Sequence, residues 1–190
     1  SFYIEEKIDV DNDALKKYCY NRHQIDDGIK LTNVGGWHSK FLDAWQVPEL
    51  FNLTEIVEQK IDQVSNVMDF GVRAAIDKCF ININQHGHSH NIHDHPGSLL
   101  SAVYYVDVKP GMGNLVFHSD NRIAAWCQRP ERIVSYNQLN SSTWSVVPKT
   151  GTLVIFPGWL RHEVETNLTY DDRISIVYNC PIEKDKICTR

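Results

Sequence analysis

Long apolar runs are missing from this chain. No window approaches the roughly 18 uninterrupted apolar residues of a membrane span, and the N-terminus lacks the basic-then-apolar plan of a secretory signal. A cytosolic protein is expected, with no membrane partner. Basic runs are missing too. With 19 Lys and Arg against 24 Asp and Glu, the formal net charge is −5 and the pI is near 6.0. No phosphate-tracking surface is available, which argues against a dedicated nucleic-acid binder. The 5 cysteines, Cys19, Cys79, Cys127, Cys180 and Cys188, are odd in number and show no CxxC spacing. Neither a disulfide framework nor a thiolate zinc site is indicated, so the thiols are expected reduced. Repeats, linkers and low-complexity tails are also absent.

What is present fits one unit. A chain of 190 residues with 42% apolar content can build one domain with a full core, and 1–190 is expected to be a single domain. Phe2 to Ile8 reads as an opening strand, and Asp11 or Asp13 is the candidate N-cap of a helix through about His23. Residues 26–37 form a loop rich in breakers. Pro48 opens a second helix, in which Leu50, Leu53, Ile56, Val57, Ile61, Val64 and Val67 recur at helical spacing up to Gly71. From Arg73 onward the texture changes to short runs rich in Val, Ile, Phe and Tyr between turn residues. Candidate strands are 74–84, 99–108, 114–118, 132–136, 143–147, 152–156 and 173–179. Helices first and strands afterwards give an α+β fold: helical support over 1–72 and a barrel or sandwich over 73–180.

The stretch that carries chemistry runs from His86 to Ser98 and holds His86, His88, His90, His93 and His95, five of the 9 histidines. Imidazole is the commonest metal ligand, and two histidines one residue apart on an extended backbone point the same way. The pairs 86/88, 88/90 and 93/95 all have that spacing. His93 and His95 abut a Pro-Gly turn and a strand, which would hold their rings on a rigid element. Far downstream, Gly151 to Gly158 is an apolar strand ending in a second Pro-Gly turn, and His162 just beyond it is a third ligand.

His93-Asp-His-Pro-Gly-Ser98, Ser101-Ala-Val-Tyr-Tyr-Val106, Gly111-Met-Gly-Asn-Leu-Val-Phe117, Val147-Pro-Lys-Thr-Gly151, Leu153 to Val164 and Asp172-Arg-Ile-Ser-Ile-Val-Tyr-Asn179 follow in an order that resembles the iron(II)/2-oxoglutarate-dependent oxygenases. The nearest branch is the prolyl-hydroxylase-like one of bacteria and their phages, with its His-x-His-Pro-Gly-Ser signature. The resemblance covers about residues 70–180. It implies a double-stranded β-helix, a jelly-roll barrel buttressed by the N-terminal helices. It also implies iron(II), 2-oxoglutarate as co-substrate, dioxygen, and hydroxylation of a small-molecule or peptidyl substrate.

The superfamily's usual ligand set is two histidines and a carboxylate, which leaves adjacent positions free on the metal. This chain departs from it, because the carboxylate position holds His95, while Asp94 should point away. The expected ligands are His93, His95 and His162. His86, His88 and His90 read as loop residues at the barrel mouth. Arg173-x-Ser175 resembles the family's grip on the distal carboxylate of 2-oxoglutarate, since an Arg fork matches a carboxylate and Ser175 shares its strand face. Of Tyr104 and Tyr105 only one can face inward, and Tyr105 is chosen as the co-substrate tyrosine. Asn84, which shares a face with Asn82, is a further co-substrate or water contact. Trp126, Trp144 and Trp159 are candidates for lining a substrate cleft. Two alternatives stand beside this reading. One is a cupin-type metal enzyme, suggested by Gly151, Pro157, Gly158, His162 and Asn167, although Ser98 to Ala102 offers no glutamate after the histidine pair. The other is a non-enzymatic, metal-stabilised binding module.

Overall fold

A computed structural model describes residues 3–69, 71–118, 133–137 and 140–183. The chain runs through β1 (Ile4–Lys7), α1 (Asn12–Ile25), β2 (Asn33–Val34), β3 (Trp37–His38) and α2 (Phe51–Met68). It continues through β4 (Lys78–Asn84), β5 (Ser89–His93), β6 (Ser98–Asp107), β7 (Leu115–His118), β8 (Thr143–Val146), β9 (Thr152–Pro157), β10 (His162–Val164) and β11 (Arg173–Pro181). A six-stranded sheet, β1-β9-β6-β11-β4-β3, packs on a five-stranded sheet, β2-β5-β10-β7-β8. Every pairing among the described residues is antiparallel. From β4 to β11 successive strands change sheets except at the β7–β8 hairpin, the winding of a double-stranded β-helix. Among the described residues no helix is long and apolar enough to cross a membrane.

Strand alternation sorts the sequence into two cores. On β11, Ile174, Ile176, Tyr178 and Cys180 turn towards the helices, where they pack with Leu53, Val57 and Ile61 of α2 and Leu15 and Cys19 of α1. Val177, on the opposite face, joins Phe80, Val103, Val154 and Phe156 against Leu115 and Phe117 of the second sheet. Phe117 and Phe156 meet with ring centroids 5.0 Å apart. With both faces covered, the central strands can be apolar at nearly every position, as the sequence of β4, β6, β9 and β11 requires.

Asp11 caps α1 by accepting from Ala14 N at 3.0 Å. Pro48 opens a 3-10 turn, Pro48–Leu50, that leads into α2. The predicted apolar stripe of α2 holds except at its end. Val67 is 81% exposed and Met68, four residues beyond Val64, packs on the core instead. The expected strand at 132–136 is not formed over 133–136, and residue 132 lies outside the described residues. The N-terminal segment is also more than helical support. β1 and β3 border the six-stranded sheet and β2 borders the other, so the loop expected over 26–37 is partly strand.

Candidate active site

A cavity of about 320 Å³ lies between the sheets. Register builds its floor. His38, Asn82, Ser175 and Tyr105 stand side by side on β3, β4, β11 and β6 as one polar row. Phe80, Val177 and Val103 form an apolar row next to it, and Asn179 stands one step further along β11. Arg173 stands beyond the polar row at the opposite end.

His93 ends β5 and pairs with His162 at the start of β10. His95 is held in the following turn by its own N–H, which donates to Gly158 O at 2.8 Å. One ring nitrogen from each of these three residues lies within 4.8 Å of the other two, and among the described residues no carboxylate joins the group. Their protonation is set by partners. The Nδ1 atoms of His93 and His162 lie 2.7 Å from Asn91 O and 2.7 Å from Leu160 O, and that of His95 lies 2.9 Å from Asn179 Oδ1. Oxygens of this kind only accept, so each Nδ1 carries the hydrogen and each Nε2 presents a lone pair. His95 Nε2 and His162 Nε2 are 3.2 Å apart. Burial, reinforced by the neighbouring rings, pushes His95 down to about 4 and His162 well below the ordinary imidazole value. Burial lowers His93 as well. Neutral rings with convergent lone pairs are what a cation requires. The donor set fits a divalent transition metal.

Arg173 is 2% exposed. Its Nη1 donates to Ser175 Oγ at 3.4 Å, its Cζ stands 5.2 Å from the Tyr105 ring centroid, and its Nε has no partner. Burial depresses its pKa, and Tyr105 is pushed up by its own burial. Among the described residues the Tyr105 hydroxyl has no hydrogen-bond partner within bonding geometry, although the guanidinium beside it favours its ionised form. A buried guanidinium without a carboxylate among the described residues, beside a hydroxyl, fits a carboxylate ligand. Tyr104, one residue out of phase, faces away and donates to Asn12 Oδ1 at 2.8 Å.

Several expectations need correction. His90 is no loop residue: it lies on β5, is 5% exposed and lines the cavity. Opposite His162 and Val164 of β10 stand His93 and His90, three positions on β5 against two on β10. That bulge lets His90 and His93 share the inner face, which strict alternation forbids. His90 Nε2 lies 3.2 Å from Asn84 Oδ1, so Asn84 stands behind His90 while Asn82 lines the cavity. His86 is exposed and stacks on Tyr170, and His88 packs over Gly35. Asp94 is exposed at the cavity's edge. Trp144 donates to Tyr3 at 3.2 Å and Trp159 is exposed; neither lines the cavity. Trp126 lies outside the described residues. A wall is formed instead by Leu31 and Phe41, next to the floor residues His38 and Phe80. His38 stacks on Phe80 with centroids 4.1 Å apart, and Phe41 meets Phe80 edge-on at 5.6 Å. One signal for this wall stood in the sequence, the Gly35-Gly36 pair. Both residues have positive φ, and a Cβ on Gly36 would fall 2.6 Å from Asn84 Oδ1.

Residues 78–179 match the family model of 2OG-Fe(II) oxygenases. No curated protein matches by sequence. Among solved structures, the chain is similar to a prolyl-4-hydroxylase from Pseudomonas putida, at 16% identity over 95% of this chain and 92% of that one, with a TM-score of 0.69. It is also similar to a Trichoplax adhaerens prolyl hydroxylase in complex with a hypoxia inducible factor peptide fragment (13% identity, 99% and 87% covered, TM-score 0.69). A third is HygX from Streptomyces hygroscopicus with nickel and 2-oxoglutarate bound (10% identity, 97% and 84% covered, TM-score 0.63). At such identities these likenesses show the fold. The family match spans more than half of the sequence and sets aside the cupin and non-enzymatic alternatives: the chain belongs to the 2OG-Fe(II) oxygenases, which depend on iron(II) and 2-oxoglutarate.

Proposed function

We propose that the protein is a hydroxylase in which His93, His95 and His162 hold iron(II) and Arg173, with Ser175 and Tyr105, seats the distal carboxylate of 2-oxoglutarate. One observation carries this reading. Three Nε2 lone pairs converge in the same cavity as a buried guanidinium that meets no carboxylate among the described residues. The bound metal supplies the dioxygen chemistry that couples decarboxylation of 2-oxoglutarate to oxidation of the substrate. The protein's own part is positioning. Arg173 meets the carboxylate in a dry pocket, where a charge-assisted hydrogen bond is strongest, and Ser175 and Tyr105 complete its ring of donors. Phe80, Val103 and Val177 keep water from the space beyond.

Three imidazoles bring no charge, so the metal dication and the 2-oxoglutarate dianion would sum to zero where a carboxylate ligand would leave an excess of one negative charge. The substrate, a peptidyl residue or a small molecule, enters past Leu31, Phe41 and Asp94 and presents an apolar surface to the aromatic wall. The N-terminal segment acts as one unit with the barrel, because β3 carries His38 into the cavity.

The test combines manganese(II) titration with succinate release from 2-oxoglutarate. Wild type is expected to bind one equivalent and to form succinate when loaded with iron, and host lysate should yield a product heavier by one oxygen atom. His162→Ala should lose both. A full equivalent of metal retained by His162→Ala would remove the assignment.

A further inference from the structure

Two of the three histidines are oriented by backbone close at hand. Asn91 O and Leu160 O, which accept from His93 and His162, belong to residues two positions earlier in the chain. Any sequence with that local backbone offers such an acceptor. His95 differs. Its Nδ1 meets a side chain, Asn179 Oδ1, 84 positions away on β11 at 2.9 Å.

We infer that Asn179 is the positioning residue that makes His95 a metal ligand: its amide oxygen accepts the Nδ1 hydrogen, fixes the tautomer and leaves the Nε2 lone pair facing His93 and His162. The inference rests on the reading of these histidines as the metal site. Both oxygens of a carboxylate at position 95 would be acceptors and would need no such partner. An imidazole has two neutral tautomers, and only one can bind metal through Nε2. The wrong one would be self-locking, because a hydrogen on His95 Nε2 would point at His162 Nε2, 3.2 Å away. That hydrogen bond would occupy the place of the cation.

Asn179 is otherwise poorly suited to its position. Asparagine is depleted in strands, and an amide in a sheltered place needs partners. β11 presents Arg173, Ser175, Val177 and Asn179 along one face of the cavity. The strand that offers a cation at one end therefore offers, at the other, the acceptor that a histidine in place of a carboxylate demands. Groups that accept the free ring N–H of a metal-bound histidine typically change metal affinity tenfold to a hundredfold when removed.

The test uses metal-free, full-length protein with 15N-labelled histidine, at a pH where the rings are neutral. Two-bond nitrogen–proton correlations should show His95 with its hydrogen on Nδ1 in wild type and on Nε2, or on both, in Asn179→Leu. Asn179→Asp, which keeps the acceptor, should restore the wild-type pattern. Manganese(II) affinity should fall by about tenfold to a hundredfold in Asn179→Leu and recover in Asn179→Asp. On a His95→Asp background, where no ring needs orienting, Asn179→Leu should leave affinity within about twofold. Three results would overturn the inference: His95 with its hydrogen on Nε2 in wild type, unchanged tautomer and affinity in Asn179→Leu, or an equal loss on both backgrounds, which marks a purely structural role. Failure of the metal reading looks different: wild type itself would take up no manganese.

Discussion

Arg173 is a group whose cost and use are separable by experiment. A charge taken out of water costs several kcal/mol unless an opposite charge meets it, and among the described residues Arg173 meets no carboxylate, only the Ser175 hydroxyl at 3.4 Å and the face of the Tyr105 ring. Arg173→Met should therefore stabilise the ligand-free protein, seen as a higher urea midpoint, while 2-oxoglutarate affinity falls by about 2–5 kcal/mol. Ser175→Ala should cost nearer about 1 kcal/mol of that affinity, the worth of one hydrogen bond. Equal 2-oxoglutarate affinity in Arg173→Met and wild type would move the carboxylate elsewhere. At this scale the sequence was legible where period two held. Arg173 and Ser175 share a face by spacing alone. Tyr104 and Tyr105 differ by one step, and only the β6–β11 register, with Ser175 opposite Tyr105, puts Tyr105 in the cavity.

Among the elements, the turn after β9 ties the two halves of the histidine cluster together. Gly158 O accepts from His95 N at 2.8 Å and Gly158 N donates to Leu99 O at 3.0 Å. A Cβ on Gly158 would fall 2.1 Å from Ser98 O, so the two segments could not keep this approach. Gly158→Ala should destabilise the fold by about 1–3 kcal/mol, the usual cost of overpacking, and should weaken manganese binding by displacing His95. Thermal unfolding and metal titration of the variant check both. Helix positions were readable from apolar periodicity, and Asp11 from its capping chemistry. β5 was not, because its bulge breaks the alternation on which strand recognition depends, and β10 is only three residues long (His162–Val164).

For the molecule as a whole, a cavity lined with neutral histidines makes the metal-free protein acid-labile. Burial pushes His90 down to about 3 and His95 to about 4, from an ordinary 6.5. Below pH 6.5 the unfolded chain takes up protons that the native cavity refuses, so stability present above that pH is lost as pH falls towards those values. One such ring costs about 2 kcal/mol at pH 5. The urea midpoint of metal-free protein should fall accordingly between pH 7.5 and 5, and an unchanged midpoint would mean that the rings titrate as in water. At pH 7.5, manganese at about 100 times its Kd should add about 2.7 kcal/mol.

By itself the sequence determined what depends on neighbours along the chain: two amphipathic helices, strands with an apolar face, turn residues at their ends, and the residue types of the proposed metal and carboxylate site. The order of the motifs, read with the family resemblance, was enough to bring His93, His95, His162, Arg173 and Ser175 together. Only the tertiary structure decided which residues complete the site. Asn179 reaches His95 because β11 runs the length of the cavity, and His90 turns inward because β5 bulges against β10. His38 and Phe41 reach the cavity because the chain crosses between sheets at Gly35 and Gly36. Each of these depends on pairing between distant segments, and a strand's register is set by its partner as much as by its own residues.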